Sequence, residues 1–298
     1  MKKKVCVIGA GVIGLSTAVC IQDRVPSAAV TLIAETFSPN TTSDGSAGFW
    51  EPFYPSPIQK DLYRKWGEET FNHLKRVAHS TEGGANGVHF VSGYLMSRNE
   101  NSPKDPQWKK DLVIGYRKLT EQDMELHPQY KEGAFYTTII ADQTPYLSWL
   151  FRRFRGKGGK VVSLKVNSLM EVTGTYDVVV NCTGLGAREA KSVTLGGSGH
   201  VNSWDLNVIK EDKERIFHNC CKLIPSLKNA KILYDWVGLR PARSEVRLEL
   251  DDRNFQKCKV IHNYGHGGSG VTLHWGCALD AANLVHKALF TPSIKSKL

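Results

Sequence analysis

Val5 to Gly14 reads V-C-V-I-G-A-G-V-I-G, a short apolar run closed by Gly9, Gly11 and Gly14. The spacing is G-x-G-x-x-G, and its neighbours supply the context that a bare match lacks. A buried strand delivers Gly9 to a tight turn, Gly11 lets the backbone approach a pyrophosphate, and Gly14 lets the next helix pack closely on the strand. The following helix, predicted over Val12 to Arg24, aims free N–H groups and a partial positive charge at the phosphates. A second strand is predicted over Ala29 to Ala34, and Glu35 stands where a ribose ligand belongs. The stretch therefore predicts an α/β fold with a dinucleotide grip. Taken alone it fits a nicotinamide or a flavin dinucleotide equally.

The remaining composition narrows the classes. With 298 residues and 41% hydrophobic content, the chain has length for one large or two ordinary domains. No apolar run is long enough to span a bilayer, and Met1-Lys2-Lys3-Lys4 begins nothing like a secretory signal. Seven scattered cysteines without a C-x-x-C pair set the expectation of neither a disulfide framework nor a metal site. The net charge of +10 is spread along the chain without a nucleic-acid module, and it suits an anionic cofactor or substrate better than a nucleic acid. Ser296-Lys297-Leu298 match the tripeptide read by the peroxisomal import receptor, so a peroxisomal matrix location is expected.

Thr36 to Gly48 is a polar loop whose hydroxyls at Thr42 and Ser43 suit phosphate or ribose oxygens, or simply a solvated turn. Phe49 to Tyr54, F-W-E-P-F-Y, either walls a flat ligand or packs between domains. Helical spacing of Leu62, Trp66, Thr70, Leu74 and Val77 predicts a core-facing helix to Ala78. Strands are predicted at Val88 to Met96, Tyr136 to Ala141, Lys160 to Val166 and Tyr176 to Cys182, with a surface loop at Asn99 to Lys110. Thr120 is placed as an N-cap, Tyr146 to Arg155 and Glu211 to Leu227 as helices, and Val193 to Gly197 as a strand without an obvious partner. Val260 to Gly270, V-I-H-N-Y-G-H-G-G-S-G, leads into a helix over Val271 to Leu289. Two glycine-rich strand-to-helix junctions at opposite ends of one chain suggest an elongated cofactor held at both ends.

With these segments in place, the chain resembles the D-amino-acid oxidase family of flavoproteins along nearly its whole length. The resemblance is carried by V-I-G-A-G-V-I-G-L-S-T-A from Val7, T-T-S-D-G-S-A-G from Thr41 and G-V-H-F-V-S-G-Y from Gly87. It continues in V-V-N-C-T-G-L-G from Val179, G-L-R-P-A-R from Gly238 and I-H-N-Y-G-H-G-G-S-G from Ile261. Within the family, T-T-S-D, E-T-F-N-H-L from Glu69 and N-C-T-G-L-G are similar to the members that oxidise acidic D-amino acids.

The resemblance implies FAD as cofactor and an FAD-binding Rossmann-like domain plus a smaller, shortened, mixed-sheet substrate domain. Residues 1–55, 141–190 and 256–298 would form the former, and 56–140 and 191–255 the latter. Gly9, Gly11, Val12, Ile13 and Gly14 would hold the pyrophosphate region, and Glu35 and Thr36 the adenosine ribose. Thr42 and Ser43 would contact phosphates; Gly48, Val166 and Thr183 would also lie against the cofactor. Gly268, Ser269, Gly270, Val271 and Thr272 would line the flavin ring. Arg240 would bind the substrate α-carboxylate as a bidentate fork, with Gly268 also facing the substrate. The implied reaction takes a D-amino acid and molecular oxygen to a 2-oxo acid, ammonia and hydrogen peroxide, with D-aspartate giving oxaloacetate. The family also carries further strands and a loop between positions matching Ala190 and Lys191, which this chain lacks. Activity on acidic substrates, activity on neutral ones, and impaired turnover with FAD retained in a paralogue or splice product all stay open.

Overall fold

The structure is a computed structural model; it describes residues 2–52, 59–99, 106–184, 200, 203–233, 235, 237–239, 242–253, 255 and 258–291. In chain order the elements are β1 (Lys4–Ile8), α1 (Val12–Arg24), β2 (Ala29–Ala34), α2 (Lys60–Ala78), β3 (Val88–Ser97), α3 (Gln107–Leu112), β4 (Ile114–Lys118), α4 (Glu121–Glu125) and β5 (Glu132–Ala141). They continue with α5 (Gln143–Gly156), β6 (Lys160–Ser163), α6 (Met170–Thr173), β7 (Val178–Asn181), α7 (Lys210–Leu223), β8 (Ala242–Leu250), β9 (Lys259–His266) and α8 (Gly270–Phe290).

The larger sheet has the order β6-β2-β1-β7-β9-β8, parallel except for β8, which runs antiparallel to β9. Its central strands read as unbroken apolar runs because both faces are covered. Val5 and Val7 of β1 join the core shared with α1 and α8, whereas Cys6 and Ile8 join a second cluster with Val172, Phe255 and Cys258 on the opposite face. Val178 and Val180 of β7 alternate with Val179 in the same way. Burying each such valine or isoleucine stabilises the fold by about 1.5–3 kcal/mol.

From β1 the chain moves through α1 to β2 on one side, and β7 later pairs with β1 on the other, so the strand order reverses at β1. Ligands of open α/β sheets bind outside the carboxyl ends of the strands at such a reversal. The second sheet, β3-β5-β4, is antiparallel throughout among the described strands rather than mixed. β8 falls within residues 191–255, yet it hydrogen-bonds into the larger sheet.

Several predicted boundaries move for identifiable reasons. The predicted helix after Glu211 stops at Leu223, because Pro225 cannot continue it and starts a 3₁₀ turn instead. β6 stops at Ser163, where its partner β2 ends at Ala34. On α2, Leu62 is exposed and Tyr63 takes the core position. The expected surface loop at Asn99 to Lys110 runs into α3, where Trp108 and Lys109 are buried and Trp108 packs edge-on against Trp50. The predicted strand at Val193 to Gly197 lies outside the described residues.

Candidate functional site

A cleft of about 920 Å³ runs along the carboxyl ends of β2, β1, β7 and β9. Four adjacent strands at normal spacing set those ends about 14 Å apart from first to last. At one end lie Glu35, Thr36, Leu164, Lys165 and Val166; in the middle Gly9, Gly11, Val12, Ile13, Thr42 and Ser43; at the far end Gly48, Phe49, Glu51, Gly268, Gly270 and Val271. Thr183 and Gly184 follow β7 into the same wall. Gly14, Ser269 and Thr272 do not line the cleft. Arg240 and Ser296-Lys297-Leu298 lie outside the described residues, but Gly238 and Leu239, which precede Arg240, are part of the wall.

Close packing explains the glycines. Gly9 has φ +108°, and a methyl group there would sit 2.3 Å from the Cys182 carbonyl oxygen. On Gly14 it would sit 1.9 Å from the Gly9 oxygen, so α1 rests directly on the turn below it. On Gly11 it would meet the Ser43 hydroxyl at 2.9 Å. The Val12 N–H donates to Ser43 Oγ at 2.9 Å, which ties the polar loop to the helix N-terminus. Asp44 holds that loop by accepting from the Thr41 amide, the Thr41 hydroxyl and Ser38. The first turn of α1 carries no acidic residue, so its positive end is left for a bound anion.

Three buried polar atoms on wall residues, Thr42 Oγ1, Asn263 Oδ1 and His266 Nε2, have no partner among the described residues. Buried polar groups in native proteins are nearly always paired, so these three would suit a polar ligand in the cleft. Together with the bare helix end and the methyl-free turn, they fit a dinucleotide carrying phosphates and hydrogen-bonding rings.

Buried hydrogen-bond chains hold the wall from behind. His274 Nδ1 donates to the Val271 carbonyl at 2.7 Å, which fixes its tautomer and leaves Nε2 to accept from the Tyr146 hydroxyl at 2.9 Å. The Tyr146 oxygen then accepts from His73 Nε2 at 2.9 Å, and the His73 ring stacks on Trp275. Burial lowers His274 to about 4 and His266 to about 3, and pushes His73 well below the usual histidine range, so all three are neutral near pH 7. On the other side Asn181 donates to His262 Nδ1, and His262 Nε2 donates to Asp251 at 2.7 Å. The Arg253 guanidinium keeps the Asp251 carboxyl well below its ordinary range. Asn181 Oδ1 in turn accepts from the Thr183 amide and hydroxyl, so this chain orients Thr183 at the cleft.

The F-W-E-P stretch divides its duties. Trp50 is fully buried against Phe71 and Trp108, whereas Phe49 is exposed on the cleft wall. Glu51 was not singled out as a site residue from sequence. Its backbone is tied both ways to Thr272, which donates to the Glu51 carbonyl at 2.7 Å and accepts from its amide at 3.2 Å. Lys109 forms an ion pair with the Glu51 carboxylate, and Tyr136 donates to the same carboxylate at 2.8 Å.

Residues 4–195 and 188–284 match the family of FAD dependent oxidoreductases designated DAO. The chain is 39% identical to a D-aspartate oxidase of Homo sapiens over 340 aligned positions, covering 99% of each chain. It is 30% identical to a D-amino acid oxidase of Dugesia ryukyuensis, again over 99% of each. Among solved structures, glycine oxidase from Geobacillus kaustophilus superposes with a TM-score of 0.70 at 16% identity, over 96% of this chain and 95% of that one, a likeness of fold. The 340 aligned positions exceed the 298 residues present here, so the human enzyme has residues without a counterpart in this chain. The break between the two family matches falls at 188–195, the region of the Ala190-Lys191 junction. With its parallel sheet, its phosphate-ready helix end and a cleft built for a dinucleotide, the chain belongs to the D-amino-acid oxidase family of FAD-dependent oxidoreductases.

Proposed function

We propose that this protein oxidatively deaminates acidic D-amino acids, D-aspartate to oxaloacetate, ammonia and hydrogen peroxide, inside peroxisomes. The observation that carries the acidic preference is the 39% identity, over the whole chain, to a protein named D-aspartate oxidase. When bound, FAD supplies the hydride acceptor and the route of electrons to oxygen. The protein's own part is placement. The Ile13 amide at the α1 N-terminus, with the Ser43 hydroxyl that Val12 holds, would face the pyrophosphate, and Gly9 and Gly11 let the backbone come close. Gly268, Gly270 and Val271 bring backbone to the far end of the cleft, where their N–H groups oppose developing negative charge. Arg240, next to the wall residues Gly238 and Leu239, binds the α-carboxylate as a bidentate fork and so fixes which Cα–H faces the cofactor. Phe49 closes the wall with an apolar ring.

The purified protein is expected to be yellow and to release peroxide with D-aspartate and D-glutamate faster than with D-alanine. A flavin-free preparation that FAD cannot reconstitute refutes the reading. A second reading, FAD binding with impaired turnover, is favoured by the break in the family match at 188–195; yellow protein without peroxide from any of the three substrates supports it. The peroxisomal part rests on Ser296-Lys297-Leu298. A fluorescent fusion to the N-terminus should be punctate, and removal of the tripeptide should leave it diffuse.

A further inference from the structure

Asn181 and His262 are register partners on the adjacent strands β7 and β9, and Asp251 follows β8, which pairs with β9 on its other side. The contacts that run from Asp251 through His262 and Asn181 to Thr183 have a fixed sense, because each end admits one role only. The Thr183 amide only donates, so the Asn181 atom that it meets at 3.3 Å is Oδ1. The Thr183 hydroxyl, 3.0 Å from the same oxygen, donates to it as well. Asn181 Nδ2 is thereby turned to His262 Nδ1 at 3.3 Å, and because an amide nitrogen only donates, Nδ1 carries no hydrogen. The hydrogen of the neutral ring is then on Nε2, where the Asp251 carboxylate accepts it at 2.7 Å. Reasoning from the cleft inward and from the buried carboxylate outward gives the same arrangement.

With its hydrogen directed inward, the Thr183 hydroxyl leaves its lone pairs to the cleft that Thr183 lines. A proton added to His262 Nδ1 upsets this order, because two donors then face each other across the contact with Asn181. A half-turn of the Asn181 amide restores that bond by bringing Oδ1 to His262, and it sets Nδ2 against Thr183. The Thr183 amide loses its acceptor, and the hydroxyl accepts from Nδ2 and turns its hydrogen to the cleft. We propose that Asn181 and His262 are positioning residues that present the Thr183 hydroxyl to FAD as a hydrogen-bond acceptor, and that protonation of His262 reverses its polarity and weakens FAD binding. The charged groups around His262 are Asp251, its partner Arg253, and Arg247, which also reaches Glu249 and the Tyr264 hydroxyl. Burial, Arg247 and Arg253 favour the neutral ring and outweigh Asp251, so His262 titrates below the usual histidine value. Full affinity therefore holds near pH 7 and above and is lost as pH falls through the lowered value.

The test reads FAD binding alone and needs no turnover, so it stands whatever substrate the protein takes. Flavin-free protein is titrated with FAD, following flavin fluorescence, from about pH 8 to about pH 5, above the range in which His274 and His266 take up protons. Circular dichroism at each pH confirms that the fold persists. In the parent the dissociation constant should rise about 3- to 10-fold as pH falls, the share of one hydrogen bond whose sense is reversed. Asn181→Asp presents oxygens on both sides and accepts from Thr183 and from a protonated His262 alike. Its affinity should match that of the parent at the alkaline end and stay level into acid. Asn181→Leu keeps the volume but leaves Thr183 without its acceptor, so it should bind FAD about 3- to 10-fold more weakly at the alkaline end, with no further loss in acid. A parent constant that does not change with pH overturns the assignment. So does an N181D protein that weakens in parallel with the parent, or an N181L protein that binds FAD as tightly as the parent.

Discussion

Replacing Gly14 by alanine tests whether the dinucleotide grip depends on helix-to-turn contact rather than on glycine at the ligand itself. The added methyl would lie 1.9 Å from the Gly9 carbonyl oxygen. A carbon and an oxygen approach to about 3.3 Å, so α1 and the turn must separate by roughly 1.4 Å. Neither side yields easily: α1 is buried along most of its length, and Gly9 is itself wedged against the Cys182 carbonyl. Overpacking of this kind costs about 1–3 kcal/mol, which lowers the melting temperature of the flavin-free protein by about 3–10 °C. The same displacement carries the Ile13 amide, and the Ser43 hydroxyl tied to Val12, away from the phosphates. Losing one or two charge-assisted hydrogen bonds weakens FAD binding by about 10- to 100-fold. Gly11→Ala is the control, because its methyl meets only the rotatable Ser43 hydroxyl at 2.9 Å. It should change flavin-free stability by less than about 1 kcal/mol while still crowding the pyrophosphate. Circular dichroism melts and flavin-fluorescence titrations read both quantities. A Gly14→Ala protein that melts with the parent, or a Gly11→Ala protein that is the less stable of the two, refutes the reasoning.

Two further outcomes follow from the buried histidines. His274 titrates near 4 in the fold against 6.5 in an unfolded chain, so the unfolded state binds more protons between those values. Stability is therefore complete above about pH 6.5 and is lost as pH falls, by about 3 kcal/mol from His274 alone once pH is below 4, with His266 adding to the loss in the same direction. Urea midpoints measured from pH 7.5 to 4 check this, and a midpoint independent of pH over that range contradicts it. Tyr146→Phe removes the hydroxyl between His73 and His274, leaving a buried donor and a buried acceptor unmatched. A loss of about 2–4 kcal/mol is expected in the same assay, together with weaker FAD retention, because His274 anchors the Val271 carbonyl.

The large sheet was legible because its information is local. β1 and β7 are short apolar runs and β9 opens on one before its glycine-rich end, and the glycines that follow sit where backbone meets backbone, so strand, turn and helix follow from composition over about ten residues each. Most residues named from the motifs line one cleft for the same reason. The exceptions are informative. Thr272 faces Glu51 and Ser269 meets the Tyr63 hydroxyl at 2.7 Å, because the first turn of a helix directs successive side chains to different neighbours. Lys109 was not legible at all. In a stretch of Asn, Pro, Lys and Asp it reads as a solvated loop, and only the packing of Trp108 against Trp50 carries it inside to meet a carboxylate distant in sequence. Pairing of segments around 51, 109 and 136 leaves no periodic trace.

The split of the family match into two stretches that overlap at 188–195 bears unequally on the two sheets. The larger one runs from β6 to β8 with its central strands paired on both sides and its faces filled, and every residue that fits the dinucleotide stands on it or on its flanking loops. The smaller one has three described strands, so among the described residues β3 and β4 are its edges, and Tyr94, Leu95 and Ile114 on them are each more than 40% exposed. Trp204, Leu206, Ile232 and Leu233, in the segments after the junction, are also exposed. Unpaired edges and uncovered apolar side chains invite association with other chains. The exposed edges and apolar side chains thus lie on the smaller sheet and in the segments after the junction, while the cofactor cleft stands on the larger sheet. Retained flavin would thus show that the cofactor sheet has formed, without showing that the substrate side is intact, and the two properties have to be measured separately.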